Sequence, residues 1–366
     1  MPISAIDTIT LAVEHTKRQL LQPFRFGQWT RLAFVGVLAG EVGSGGSFHF
    51  PSNFNIPQQG GGSSRNFLGQ FPHIDPAILA GVIATLIVTA VIVGIVLMYV
   101  SSVMRFILFD SVLAKECHIG RGWSRRTDAG WRYFLWQLGY LLAALAGLVV
   151  FVGIPVGLAY AAGWFSQASE HVAELVLGGI LLFFVLFAFF VVTALVHVLT
   201  KDFVVPQMAL EGIGAIEGWR RLWPMMKAEK GSYAGYVGMK IVLAIMAGIV
   251  IGIVGVILGL MIAIPTAALS LVAVLTGKSV GLTWNALTIT VAVVVGCVLF
   301  AVFMYLIGLI AVPAIVFFPA YSIYFFAARY RALGLVLNPP PAAGPTAEDG
   351  PPPEPPALPL TPEPIE

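Results

Sequence analysis

Ionisable side chains are scarce in this chain, so each one beside an apolar run is a candidate for chemistry. Of its 366 residues, 10% are charged and 58% are hydrophobic. Arg105 and Asp110 follow one long apolar run, His197 lies near the end of another, and Glu41 follows a short one. Ion-coupled pumps need acids, Lys or His inside the membrane. We interpret His197 and Glu41 as boundary residues, and Arg105 and Asp110 either as an interfacial pair or as side chains that snorkel to the interface. This interpretation disfavours a coupled pump.

Acids and bases gathered at one interface would favour a lipid-modifying enzyme instead. The candidates for such a site are Arg105, Asp110, Arg125, Arg126, Asp128, Glu217, Arg220 and Arg221. The Gly-Lys-Ser of a phosphate loop occurs at 277–279, but position 272 is Val where the motif needs Gly. The His residues and the two Cys residues lack metal-ligand spacing. We therefore predict no catalytic, cofactor or metal site.

The elements that must position these residues are long apolar helices. Mean hydropathy is +0.90, and a span needs about 20 apolar residues to cross roughly 30 Å of hydrocarbon. Five runs are long enough: 78–104, 133–162, 175–200, 241–264 and 285–328. The chain is therefore predicted to be an integral membrane protein.

A sixth span is predicted from charge, because the run 32–40 is too short to be assigned on hydropathy alone. Four basic residues precede it, whereas Arg65 is the only one in the segment 41–75 that follows. Cytoplasmic segments carry an excess of Lys and Arg. Both termini and the loops 115–132 and 201–240 are then cytoplasmic. Division of the last two runs at Pro265 and Pro313 would give eight spans, which is the alternative.

The predicted fold class is an all-α polytopic membrane bundle of about six helices, with amphipathic interfacial helices on the cytoplasmic side. Residues 1–24 form an amphipathic N-terminal helix with a Ser4–Asp7 cap and an apolar face of Ile6, Ile9, Val13 and Leu20. This helix either lies on anionic lipid or packs on the bundle. Residues 25–337 form the membrane domain, with a flexible outer loop at 41–75, and the Pro-rich acidic tail 338–366 is disordered.

Two cytoplasmic segments resemble each other. Residues 106–113 (FILFDSVL) and 203–210 (FVVPQMAL) lie 97 positions apart, and each is followed by Gly-Trp and Arg. These linkers supply the predicted lipid or interface residues: Trp123, Arg125, Arg126, Trp219, Arg220, Arg221 and Trp223. Trp and Arg suit the headgroup region of an anionic leaflet. We predict a parallel duplication of a helix pair whose four Arg residues form one basic surface.

Small residues at helical spacing predict close helix packing. They are Gly153 and Gly157 in the third predicted span, and Gly248, Gly252, Gly255 and Gly259 in the fifth. Such spacing lets a neighbouring helix approach closely. We expect these glycines to pack within one chain, and a homodimer seam is the alternative.

The sequences FRFGQWTRLAF (24–34) and PQMALEGIGAIEGWRRLW (206–223), with the layout of the spans, resemble a broad group of prokaryotic multi-pass proteins. That group includes the membrane domain fused to glycerophosphoryl diester phosphodiesterases. The resemblance implies a role in phospholipid or envelope physiology, and it carries over no active-site residue.

The predicted function is a non-enzymatic membrane scaffold or accessory protein of the bacterial cytoplasmic (inner) membrane. Its cytoplasmic face would bind lipid headgroups or a membrane partner, with a homo-oligomer as one form of partner and no nucleic acid. A small-solute facilitator or channel is the alternative. A continuous polar cavity would favour transport, converging acids and bases would favour catalysis, and a solid bundle would favour scaffolding.

Overall fold

The computed structural model describes residues 4–41, 76–166, 169–279 and 286–338, and all regular structure in these ranges is helical. The helices are α1 (Asp7–Leu21), α2 (Phe26–Leu38), α3 (Pro76–Ala114), α4 (Ile119–Leu148), α5 (Ile154–Ala161), α6 (Val172–Leu199), α7 (Val205–Glu211), α8 (Ala215–Ala228), α9 (Lys230–Ser279), α10 (Ala286–Ala327) and α11 (Arg331–Leu337). Two π-helical segments, Val149–Gly153 and Thr200–Val204, join α4 to α5 and α6 to α7. The predicted all-α fold is confirmed.

Within the described residues, five helical stretches are long and apolar enough to cross a membrane. They are Ile83–Ala114, Ile119–Ala161, Val172–Glu211, Lys230–Ser270 and Thr290–Ala327. The α2 helix has 13 residues and is not among them. Both α9 and α10 continue through Pro265 and Pro313 without a break, so the eight-span alternative is wrong.

The contact between Glu41 and Lys201 contradicts the predicted placement of these two residues on opposite faces of the membrane. The prediction placed Glu41 at the outer end of the first span and Lys201 in an inner loop. In the structure the Glu41 carboxylate lies 2.5 Å from the Lys201 ammonium group. Two atoms in contact cannot lie on opposite faces of a bilayer, so this part of the prediction is wrong. The comparison of Lys and Arg numbers on the two sides of a short apolar segment assumes that each charge is in water. It cannot detect a buried partner that is distant in sequence.

The core is concentrated toward the C-terminal ends of α3, α6 and α10. Phe203 is at the centre, with ring centroids 5.0 Å from Tyr236 and 5.2 Å from Phe326. By contrast, most apolar side chains of α6 before Leu199 are exposed, among them Phe183 at 63%. A helix that is apolar all round suits a hydrocarbon environment. The bundle therefore has one packed end and long apolar helices that extend from it.

The α1 helix packs on α10, but through a different face from the predicted one. Ser4 Oγ accepts the backbone N–H of Asp7 and donates to its carboxylate, as the predicted cap requires. The buried residues are Thr8, Ala12, His15, Thr16, Gln19 and Leu20. Ile6 and Val13 are 65% and 51% exposed. Mostly small and polar side chains mediate the contact with the bundle; of the predicted apolar face, Leu20 is buried and Ile9 is partly buried, whereas Ile6 and Val13 are exposed.

The two repeated segments make equivalent contacts. A Cβ atom added at Gly122 would lie 3.0 Å from Ile107, and one at Gly218 would lie 2.7 Å from Val204. Ile107 and Val204 are separated by the same 97 positions as the repeats themselves. Each Gly of a Gly-Trp pair thus lets its helix approach the same position of the preceding segment, which supports an internal duplication.

Candidate functional site

Five ionisable side chains from four parts of the chain converge in the packed end of the bundle. Arg105 comes from α3, Lys201 and Asp202 from the π-helical segment Thr200–Val204, Lys240 from α9, and Glu41 follows α2. All five are buried, with exposed fractions between 3% and 9%. We call this group the charge cluster. π-Helical turns occur frequently at functional sites, and this one carries two adjacent charged residues of the cluster.

Four members of the charge cluster form two ion pairs. Lys201 contacts Glu41 at 2.5 Å, with 7% and 2% of the two side chains exposed. Lys240 contacts Asp202, and Tyr236 donates its hydroxyl to the same carboxylate at 3.0 Å. A charge without a partner is costly in the interior, so each pair must remain intact for the bundle to pack. The cluster thereby fixes α6, α9 and the end of α2 relative to one another.

Arg105 is held by neutral groups. Its Nη1 donates to the Tyr133 hydroxyl at 2.7 Å, and its Nη2 donates to the backbone carbonyl of Ala39 at 2.9 Å. Arg105 and Asp202 are 97 positions apart and therefore equivalent in the two repeats. Each one hydrogen-bonds a tyrosine on the following long helix. The two similar segments thus carry opposite charges at equivalent positions.

The sequence analysis did not predict that these five residues lie together. The predicted interfacial pair of Arg105 with Asp110 is wrong, because Asp110 binds Arg126 through two contacts of 2.6 Å each. His197 is exposed on α6 and is not one of the five buried members, but it interacts electrostatically with four of them, namely Arg105, Lys201, Asp202 and Glu41. The sequence assigned Lys201, Asp202 and Lys240 to a loop, since each lies where an apolar run ends. No sequence pattern reveals that these run ends pack together.

The interface residues predicted on α4 divide between the interior and the surface. Arg126 also donates to the backbone carbonyl of Ala209 at 2.6 Å, and only 13% of its side chain is exposed. Arg125 is exposed. Trp123 is partly buried and packs edge-on against Tyr99, with centroids 6.3 Å apart. Arg126 therefore links α4 to α3 and α7, and Arg125 is available to a headgroup.

The interface residues predicted on α8 are likewise divided. Trp219 donates its indole N–H to Thr200 at 3.0 Å and is partly buried. Arg221 contacts both Glu211 and Glu217, and Arg220 contacts Glu217 at 3.2 Å. These contacts join α8 to the end of α7.

One face of α8 points away from the protein. Its residues follow helical spacing and alternate between apolar and cationic: Ile216, Arg220, Trp223 and Lys227. Ile216 is 74% exposed and Trp223 is 54% exposed. The side chain of Arg220 is 80% exposed, and the Lys227 ammonium group lies 5.5 Å from the Trp223 ring centroid. We call these four residues the α8 stripe. The opposite face, which includes Gly218 and Leu222, is buried.

Only some of the glycines predicted in the fifth span, which is α9 in the structure, pack against a neighbouring helix. A Cβ atom at Gly255 would lie 3.0 Å from Ile307, and one at Gly259 would lie 3.5 Å from Phe303, both on α10. A Cβ atom at Gly252 would have nothing within 4 Å. Gly248 lies within α9. Two of the four glycines thus pack against α10.

The glycines predicted in the third span do not face a neighbouring helix. The nearest neighbour of a Cβ atom at Gly153 is Val149 in the same π-helical segment, and at Gly157 nothing lies within 4 Å. The close approach on this helix is at Gly147, where a Cβ atom would lie 2.8 Å from Phe189. Periodicity identified a helix with close contacts but did not identify the residue that makes them.

Neither thiol adjoins a ligand set. Within the described ranges, no three His, Cys, Asp or Glu residues are grouped closely enough to hold a metal ion. Cys117 is buried, and burial raises the pKa of its thiol. Cys297 is exposed on α10.

Comparison with known proteins gives one match. Neither curated proteins nor solved structures include a match to the chain. A family described as "Family of unknown function (DUF7544)" matches residues 3–336, which include every element from α1 to α10 and most of α11. The chain belongs to this family.

Proposed function

We propose that the protein is a non-enzymatic scaffold or accessory protein of the bacterial inner membrane, with both termini in the cytoplasm. Its packed end would bind anionic lipid headgroups on the cytoplasmic side. The observation that carries this proposal is the α8 stripe, in which two exposed apolar and two cationic side chains share one face. Such a face lies in the membrane interface, with its apolar groups among acyl chains and its cations at headgroups.

The interior supports scaffolding over a solute pathway. The cavity beside the charge cluster has a volume of about 30 Å³, which has room for one or two water molecules. Four of the cluster's charges are engaged in ion pairs that hold helices together. A facilitator would need a polar passage of solute size, so the geometry favours the scaffold. The resemblance to phosphodiesterase-linked membrane domains is in keeping with a role beside phospholipid.

The test is retention of anionic lipid by the purified protein, measured by native mass spectrometry at low salt. Arg220→Gln removes one cation from the α8 stripe. A Lys or Arg near an anionic surface contributes about 1 kcal/mol, so we expect affinity to fall about fivefold. Arg220→Gln combined with Lys227→Gln should lower it further. Trp223→Ser should lower affinity without a change in charge.

The matched control is Lys278→Gln, which removes one cation near the other end of α9. We expect this variant to retain anionic lipid as the parent protein does. Equal losses in Arg220→Gln and Lys278→Gln would mean that net charge alone attracts the lipid. Unchanged retention in both variants would overturn the proposal and favour a protein partner for the stripe.

A further inference from the structure

The charge cluster has an excess of positive charge. Arg105, Lys201 and Lys240 are cationic, whereas Glu41 and Asp202 are the only carboxylates among its five members. The ion pair between Asp110, which is also on α3, and Arg126 is balanced within itself. His197 interacts electrostatically with Arg105 and Lys201, and its protonation would only add positive charge. Within the described chain, the cluster is thus one negative charge short of neutrality.

Arg105 is the member whose charge is held by neutral groups. It is 7% exposed, and two of its nitrogens donate to the Tyr133 hydroxyl and the Ala39 carbonyl. Its Nε is buried and has no hydrogen-bond partner among the residues that the structure describes. Glu41 interacts electrostatically with Arg105 but is already paired with Lys201, so Arg105 has no ion pair of its own among the described side chains. A buried cation in this position, with one N–H unbonded, is costly. The guanidinium group therefore favours an anionic acceptor.

A cavity of suitable chemistry adjoins Arg105. Its polar lining comes from Arg105, Lys201, Glu41, Asp202 and Ser322. The rest of the wall is apolar, with side chains such as Leu108, Phe109 and Ile323. Apolar walls lower the local dielectric and so strengthen the attraction between a bound anion and the cations around it.

We propose that this cavity binds one small monovalent inorganic anion, of the size of chloride, as the counter-ion of Arg105. The volume of about 30 Å³ has room for about two water molecules. A halide fits such a space, whereas a phosphate ester with its several oxygens does not. The bound anion completes the electrostatics of a cluster that joins α2, α3, α6 and α9. It is a structural ligand, and its binding is independent of lipid binding by the α8 stripe.

The test is thermal unfolding of the full chain in detergent at constant ionic strength, with sodium gluconate replaced stepwise by sodium chloride or bromide. A ligand that binds only the folded state raises Tm as its concentration rises above Kd. We expect both halides to raise Tm, and above Kd the rise should continue with the logarithm of halide concentration. Bromide should also give an anomalous scattering peak in the cavity beside Arg105.

Two variants change the charge balance in opposite directions. Lys240→Gln makes the described cluster neutral, and we expect its apparent affinity for halide to fall about tenfold or more. Glu41→Gln leaves a larger positive excess, so we expect tighter halide binding. If Glu41→Gln folds poorly in gluconate, chloride should rescue it. Lys17→Gln removes an exposed cation of α1 and should leave halide affinity unchanged.

Three results would overturn the proposal. The first is the same Tm in gluconate and in halide for the parent protein. The second is an unchanged halide response in Lys240→Gln. The third is stabilisation by inorganic phosphate or anionic lipid with none by halide, which would identify the ligand as a phosphate group.

Discussion

At the residue scale, Trp29 compensates for a proline in a membrane helix. Pro313 has no backbone N–H, so the carbonyl four residues earlier, that of Leu309, loses its usual intrahelical partner. The indole N–H of Trp29 donates to that carbonyl at 2.8 Å. A backbone acceptor left unpaired away from water is costly. This hydrogen bond therefore explains how α10 continues through Pro313 and why α2 is bound to it.

We predict that Trp29→Phe lowers the free energy of unfolding by about 1–3 kcal/mol, since it leaves the Leu309 carbonyl without its donor. Pro313→Ala restores the backbone N–H and the intrahelical bond. Trp29→Phe should therefore cost less in the Pro313→Ala background, and a double-mutant cycle of thermal stability measures the difference. Additive effects of the two changes would show that the indole stabilises α2 by packing alone.

His15 makes the docking of α1 sensitive to pH. Its Nε2 faces the carbonyl of Val112 at 2.9 Å, which can only accept, so Nε2 carries the proton and Nδ1 accepts from the Tyr324 hydroxyl at 3.0 Å. Burial lowers the pKa of His15 below its ordinary value of 6.5. Between these two pKa values the unfolded chain holds more protons than the folded chain. The contribution of His15 to stability is therefore fully present at pH values above its pKa in the unfolded chain, and it is lost as pH falls below that pKa.

We predict that Tm decreases from about pH 7.5 to about pH 5 and that His15→Gln reduces this slope. The control is His118→Gln, because His118 is exposed and should leave the slope unchanged. An identical slope in His15→Gln and the parent protein would show that other groups cause the pH dependence.

Side-chain contacts could be predicted from the sequence only where the partners are close along the chain. The cap of α1 was predictable, because Ser4 and Asp7 are three residues apart and their contact is local. The Glu41–Lys201 pair joins residues 160 positions apart, and neither residue carries a local sign of its partner. Single-sequence reasoning predicts local contacts well, and it predicts a charge cluster only when the ends of the helices are known to converge.

At the element scale, the α9 glycines distinguish packing within a chain from packing between chains. Gly255 faces Ile307 of α10, and Gly252 faces open space. We predict that Gly255→Leu lowers the free energy of unfolding by about 1–3 kcal/mol through overpacking. Gly252→Leu should leave the stability of the monomer unchanged or slightly higher, since Leu favours helix. Thermal unfolding in detergent measures both effects.

The oligomer size of the Gly252→Leu variant, measured by size-exclusion chromatography with light scattering, tests whether another chain packs on Gly252. A change of oligomer size in Gly252→Leu would mean that another copy of the chain covers the open face. That outcome would favour the homodimer seam for Gly252 and restrict close packing within the chain to Gly255 and Gly259.

The elements themselves were largely predictable, and their lengths were less so. Apolar runs identified the five long helices, because hydrocarbon selects length and composition. The 34-residue segment 42–75, with the predicted flexible outer loop, and the tail from 339 to 366 lie outside the described residues. Hydropathy did not reveal the two π-helical segments, since the extra residue in a π turn leaves composition unchanged.

At the scale of the whole molecule, the two repeats explain the asymmetry of the bundle. In the first segment the end of α3 is followed directly by α4, whereas in the second the π-helical segment, α7 and α8 lie between α6 and α9. Phe106 packs edge-on against Tyr133, and Phe203 packs edge-on against Tyr233. Arg105 and Asp202 then supply opposite charges at the equivalent position. The two similar segments thus supply part of the aromatic core and two members of the charge cluster, whereas Glu41, Lys201 and Lys240 complete the cluster.

The proposed orientation places the packed end in the cytoplasm, and it can be tested at Ser124 and Ser169. Ser124 lies near the start of α4, and Ser169 lies just before α6, after the stretch Ile119–Ala161 that is long enough to cross a membrane. Both residues are exposed. In a background with Cys117→Ala and Cys297→Ala, we expect an impermeant maleimide to label Ser169→Cys in intact cells. Ser124→Cys should be labelled only after permeabilisation.

The labelling pattern separates three arrangements. The expected pattern follows from the Arg and Lys residues of α4 and α8, which the positive-inside tendency assigns to the cytoplasm. The reverse pattern would put the charge cluster and the α8 stripe near the outer leaflet, and would exclude binding of cytoplasmic headgroups. Labelling of both sites from the same side would mean that Ile119–Ala161 does not cross the bilayer, since a spanning helix must separate its two ends.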